Sequence, residues 1–347
     1  MSEAKQGWFL AIADGVVLFL LLVNVLLFAE VYVRRLRQKL RTRRAREFRA
    51  HCEQVLAELD PATRMHDPAW LRRQLASFDE LERPIAATML IERLRPLSDE
   101  ERAHMLAALR DAGGLDLVVS RTRSRMPWRR ALALRTLGWL GATEAVPVLL
   151  ERLSDSSLHV RAAAARALGR VGDPRALEPL GGLFRTPGRV EGGIVYDSLV
   201  AFGRAAQRVF AGALRSPLES VRVASCFGVA EVSEPDETLA LLEPLLGDGS
   251  GPVRAAAARA LGHVGGPRVP EGLARATRDE LSIVRAAAVG ALAGFSDPRA
   301  SELAENALLD ADRETVVRAG ETLVRLGSTA QGWPVERARV LASLGAL

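Results

Sequence analysis

The ten residues VRAAAARALG stand at Val160–Gly169 and again, unchanged, at Val253–Gly262. The copies lie 93 positions apart, which is three steps of 31. Looser copies keep the register: "WRRALALRTLGWLG" with Arg130 and Gly138, "VRVASCFGVAEV" at Val221, "VRAAAVGALAGF" at Val284 and "TVVRAGETLVRLG" at Thr315. One more unit, "IVYDSLVAFGRAAQRVFAGAL" from Ile194, is displaced by a short insertion. A fixed period of this length predicts a solenoid, in which each unit needs neighbours to bury its apolar face.

Inside a unit the letters describe two helices. Asp173-Pro174 and Asp297-Pro298 place an N-cap acceptor and an N1 proline ahead of a first helix, "RALEPLGGLF" or "RASELAENAL". The second helix carries alanine where neighbours approach closely, valine or leucine where they interlock, and ends at a glycine suited to the left-handed C′ position. The chain has 29 glycines and is 48% hydrophobic but only 5% aromatic, as small, closely packed helices require. The expected class is all-α: an α-solenoid of helix pairs over 128–347. Residues 61–127 fit the repeat poorly and read as three amphipathic helices forming a divergent cap, and "PVERARVLASLGAL" reads as the closing helix.

An aspartate precedes the repeat arginine by six residues in several units: Asp155 and Arg161, Asp248 and Arg254, Asp279 and Arg285. Catalysis would not need one pair in every unit, whereas stacking would, so this ladder is expected to be structural. The insertion Arg185–Ser198, "RTPGRVEGGIVYDS", is the irregular element, and it offers Arg189 and Tyr196 as candidate contacts for a partner.

The amino-terminal end obeys different rules. Trp8–Val33 is a 26-residue apolar run interrupted by Asp14, Asn24 and Glu30. As a helix it spans about 39 Å, more than the ~30 Å hydrocarbon core of a bilayer. Nine basic residues and one acid follow in Arg34–Arg49, among them Arg34, Arg35, Arg37, Lys39, Arg41, Arg43, Arg44 and Arg46. This flank predicts a single-pass helix over about 8–33, with the N-terminus outside and the rest in the cytoplasm of a bacterial inner membrane. Its arginines meet anionic lipid head groups. Residues 34–60 read either as a helix continuing out of the bilayer or as a solvated linker. Asp14 and Glu30 lie about 24 Å apart along such a helix. They sit either near the two interfaces or against a multi-span membrane protein or a second copy. The flank carries a net +8, so a formal total of +5 leaves about −3 elsewhere, and no nucleic-acid footprint remains.

"VRAAAARALGRVGDPRALEPL" resembles a HEAT-type repeat, in particular the bacterial class named after phycobilisome lyases, over 128–330. The resemblance implies a scaffold that binds proteins. It also touches two enzyme classes, deoxyhypusine hydroxylases, which hold di-iron through His-Glu pairs, and bilin lyases. The histidines here stand as His51-Cys52, His66-Asp67, His104-Met105, His159-Val160 and His263-Val264, so no His-Glu pair exists. No metal-ligand spacing, phosphate loop or nucleophile constellation emerges around them or around Cys52 and Cys226. The expectation is a non-enzymatic, membrane-anchored adaptor for protein partners, with no cofactor, metal or small-molecule substrate. The alternatives are an accessory subunit of a membrane machine, such as a polysaccharide synthase or secretion complex, and an enzyme of the hydroxylase or lyase type.

Overall fold

The computed structural model describes residues 113–327 and, before them, Glu47, Ala50, His51, Arg73, Ser77, Ala103, Leu106, Ala107, Arg110 and Asp111. The apolar run 8–33 with Asp14, Asn24 and Glu30, the arginines of 34–46, most of the expected cap over 61–127 and the closing helix lie outside the described residues. No helix of the described residues is long and apolar enough to cross a membrane. The chain divides into two units, Met1–Leu94 with Ala108–Gly114 and Arg95–Ala107 with Leu115–Leu347. In the first, His51 Nε2 lies 2.9 Å from Ser77 Oγ. The repeats belong to the second.

After α1 (Gly114–Arg121), the helices alternate between the second and first members of successive pairs. The second helices of the pairs are α2 (Pro127–Leu140), α4 (Leu158–Val171), α6 (Gly192–Val200), α8 (Glu219–Val232), α10 (Gly251–Val264), α12 (Ser282–Ala291) and α14 (Arg313–Arg325). The first helices are α3 (Val146–Arg152), α5 (Leu177–Arg185), α7 (Gln207–Ala213), α9 (Pro235–Leu242), α11 (Glu271–Ala276) and α13 (Pro298–Ala307). Each second helix packs on the second helices before and after it. The fold is an all-α solenoid. An isolated bridge between Gly266 and Phe295 is the extended pairing found among the described residues.

The caps follow from the letters. Asp173 accepts the amide of Arg175 at 2.9 Å, and Asp297 that of Arg299 at 3.0 Å, each ahead of a proline at the first helical position. Gly141, Gly172 and Gly265 end second helices at φ near +68°, where a Cβ would be strained.

The core is one pattern repeated. Val160, Ala164, Ala165 and Leu168 are at most 1% exposed, and so are Val253, Ala257 and Ala258, with Leu261 at 2%. The spacing i, i+4, i+5, i+8 keeps these side chains on one helix face. In α8 the same slots hold Val221, Ser225, Cys226 and Val229. Cys226 therefore fills the place of Ala165 and Ala258, and burial pushes its thiol up to about 12, so it packs as a small apolar group. Ser225 satisfies its hydroxyl by donating to the Val221 carbonyl at 2.7 Å.

Close approach of second helices requires glycine at particular points. A Cβ on Gly138 would lie 2.5 Å from Ala167 Cα, one on Gly169 2.8 Å from Ser198 Cα, and one on Gly262 inside van der Waals contact with Ala291. These three positions recur in the register of the ten-residue copies, which is why the copies end in Leu-Gly.

Candidate functional site

Each repeat arginine joins two successive turns. Arg254 donates through Nη1 to the Asp248 carbonyl at 2.9 Å, six residues back in the turn entering its own helix. Its Nε and Nη2 reach forward to the carboxylate of Asp279, both at 2.8 Å. Asp279 Oδ1 also accepts the amide of Leu281 at 2.9 Å, which fixes the carboxylate in the turn. Arg285 repeats this with the Asp279 carbonyl and the Asp310 carboxylate. Arg222 does so with the Ser216 carbonyl and Asp248, and Arg130 with the Ser124 carbonyl and Asp155. Two parallel N–H···O bonds in each rung match the guanidinium fork.

This arrangement corrects the pairing read from sequence. Asp155 and Arg161, Asp248 and Arg254, and Asp279 and Arg285 do meet, but through the aspartate's backbone carbonyl. The carboxylate belongs to the arginine of the preceding unit, 25 or 26 residues earlier. Arg130, Arg222 and Asp310 are therefore ladder members that the six-residue spacing missed.

Burial would raise the pKa of Asp155 and Asp248, but the bonds from Arg130 and Arg222 and from the turn amides outweigh it and hold both below the ordinary carboxylate value. For Asp279 and Asp310 the arginine bond is itself the largest influence, again downward.

The ladder breaks at the insertion. Arg161 finds no carboxylate ahead of it, and its Nε donates to the Arg189 carbonyl at 2.6 Å. The next rung lacks both members: Gly192 stands 31 residues after Arg161, and Ser216 six before Arg222. Ser216 Oγ still accepts the Leu218 amide at 3.2 Å, keeping the turn without supplying a charge. The irregular segment is also shorter than the sequence suggested, because α6 begins at Gly192. Tyr196 lies on that helix, half-buried, with its ring 5.6 Å from Phe210, which in turn meets Phe184 edge-on at 5.4 Å. Burial and the nearby charges of Glu231 and Asp197 push its phenol up to about 12. Arg189 thus serves the stack through its carbonyl, and Tyr196 through its ring.

The second helices also form the wall of an open groove. In α10, Arg259 and His263 project five and nine residues after the ladder arginine. The same two places after Arg285 are Gly290 in α12, whose missing Cβ leaves the groove open, and Gly294 just beyond α12, where a Cβ would strike the Gly262 carbonyl. The recess, about 610 Å³, is walled by Arg259 and His263 on one side and by Arg318 and Arg325 on the other. Ile283, 49% exposed, lies at one end beside Asp312 and Glu314. Arg318 is tied to Glu314 at 2.9 Å and Glu321 at 3.0 Å, and Asp312 caps α14 through Thr315. Among the described residues no ion pair engages Arg259 or Arg325. Among them, too, no group of three His, Cys, Asp or Glu side chains is placed to hold a metal ion.

A family model described as HEAT repeats matches residues 115–191 and 207–292. These two segments carry HEAT repeats. The interval between the two HEAT matches, 192–206, begins at the glycine where the ladder loses its arginine. No curated protein matches the chain. Among solved structures, an engineered protein is 19% identical, with a TM-score of 0.37 over 83% of this chain and 82% of its own. The CpcE–CpcF complex of phycocyanin lyase from Nostoc is 21% identical, with a TM-score of 0.33 over 80% and 94%. Human deoxyhypusine hydroxylase is 18% identical, with a TM-score of 0.31 over 71% and 98%.

Proposed function

We propose that this HEAT-repeat chain is a non-catalytic adaptor, tethered by residues 8–33 to the inner membrane with its solenoid in the cytoplasm. Partner proteins bind along the second-helix face. The observation that carries the reading is the groove over α12: Gly290 leaves it open, and among the described residues no ion pair engages Arg259 or Arg325, which line it. A partner segment that brings carboxylates to those arginines and an apolar side chain to Ile283 fits its chemistry. The tether confines the search for membrane partners to a plane and raises their effective concentration.

The test is co-purification from detergent-solubilised membranes. Gly290→Trp is aimed into the recess from a site where a Cβ meets its nearest atom, Arg318 Cδ, at 3.8 Å, an ordinary van der Waals contact. The expected result is loss of the partner with unchanged helicity. Retention of the partner by a folded Gly290→Trp protein contradicts the groove.

A second reading is favoured by Asp14, Asn24 and Glu30, which make the apolar run unusually polar. In it the chain is an accessory subunit of a multi-span membrane machine. An Asp14→Leu/Glu30→Leu variant then loses a multi-span partner while a groove partner stays bound.

A further inference from the structure

We propose that the turn entering α2, residues 121–129, is a second lipid-contact site that docks on anionic head groups. The inference rests on the tethered reading above, which brings the solenoid to a bilayer surface. From Leu117 to Thr143 the sequence holds six arginines and no acidic residue. One of the six, Arg130, is consumed by the ladder. The carboxylate that serves this turn, Asp155, is already held by Arg130 at 2.6 Å and approached by Arg152 at 3.6 Å. Arg123 and Arg125 are exposed, and no ion pair among the described residues engages them.

Between these arginines the turn offers apolar surface. Trp128 is 58% exposed and Met126 53%, on either side of Pro127. The Arg129 guanidinium sits over the Trp128 ring, 5.1 Å from its centroid, and Arg129 Nε is buried without a hydrogen-bond partner. Burial and the charge of Arg129 lower the pKa of Arg121, a sign that like charges crowd here.

Interleaved arginines with a tryptophan and a methionine suit the head-group layer. The indole and thioether enter the interface while the guanidiniums meet phosphate and carboxylate groups. A single-stranded nucleic acid would instead use the aromatic face for base stacking, and Arg129 covers a face of Trp128. The site turns a single anchor into a two-point attachment and fixes which edge of the solenoid lies against the membrane.

The test uses the full chain in vesicles of phosphatidylcholine alone and of phosphatidylcholine mixed with phosphatidylserine. Amide hydrogen exchange is followed in the peptide covering 120–130. In mixed vesicles at low salt, exchange of Arg123–Met126 is expected to slow about tenfold, and to recover at high salt as the charges are screened. Arg123→Glu/Arg125→Glu removes the slowing and leaves exchange across 158–171 unchanged. Equal exchange in the two lipids overturns the proposal. So does protection of the detergent-solubilised chain by single-stranded RNA with none from phosphatidylserine. Alkaline carbonate extraction reports on the tether separately: a chain that is extracted but still protected in mixed vesicles refutes the tether and keeps the docking site.

Discussion

Asp279 performs two tasks with one side chain. It closes the turn into α12 through the Leu281 amide and receives the guanidinium of Arg254, both groups being about nine-tenths covered. Removing one member leaves the other buried and unpaired, which in such sites costs about 3 kcal/mol or more. Asp279→Ala is therefore expected to lower the unfolding free energy by that amount, read as a lower urea midpoint at unchanged m. Arg254→Met/Asp279→Leu, which removes both charges and refills the space, should recover most of the loss. The sign of the pH dependence follows from the depressed pKa of Asp155, Asp248, Asp279 and Asp310. Their stabilisation is complete above the unfolded carboxylate value of 3.8 and is lost as pH falls below it through the folded values. Urea unfolding from neutral pH down to pH values below that point should show a steep fall for the native chain and a shallower one for Arg254→Met/Asp279→Leu. Part of the ladder was legible in the sequence, because Asp and Arg recur in register, but Arg130, Arg222 and Asp310 escaped the six-residue spacing. Which atoms meet was not legible. Neighbours in sequence invite pairing by side chain, whereas the guanidinium reaches along the stack and leaves only a backbone carbonyl for its own turn.

Among the elements, glycine separates two opposite consequences of the same substitution. Gly262→Ala gains helix propensity but drives a methyl group into the Ala291 backbone, so a net loss of about 1–3 kcal/mol is expected. Gly182 in α5 has nothing within 4 Å of its would-be Cβ, and Gly182→Ala should stabilise by up to about 1 kcal/mol. Thermal melts of the two variants should move in opposite directions. The broken rungs make a third prediction: amides of α6 should exchange faster than those of α10, because two consecutive rungs around α6 lack their ion pairs. Equal protection would mean that the Phe184–Tyr196–Phe210 cluster replaces the missing staples. That cluster was hidden in the sequence. Tyr196 follows a glycine-rich insertion and reads as loop, yet its ring packs against Phe210 from a helix that begins four residues earlier. The basic turn at 121–129 was obscured differently. Its signal was a window free of acids, which a whole-chain charge balance averages away.

At the scale of the whole molecule, stability is a sum of contacts between neighbouring units, and binding is what the same stacking leaves uncovered. The period of 31 announced the solenoid, since a regular core needs regular letters. The groove was not announced, because Gly290 looks like ordinary repeat variation until α10 and α14 stand on either side of it. The claim that joins fold to function is that partners meet the second-helix face over α12. A photo-reactive residue placed at Arg259 or His263, and a control at the exposed Arg208 on the first helix α7, tests it on intact membranes. The account predicts one discrete protein adduct from the two groove positions, abolished by Gly290→Trp, and none from position 208. Adducts from position 208 with none from the groove would contradict it.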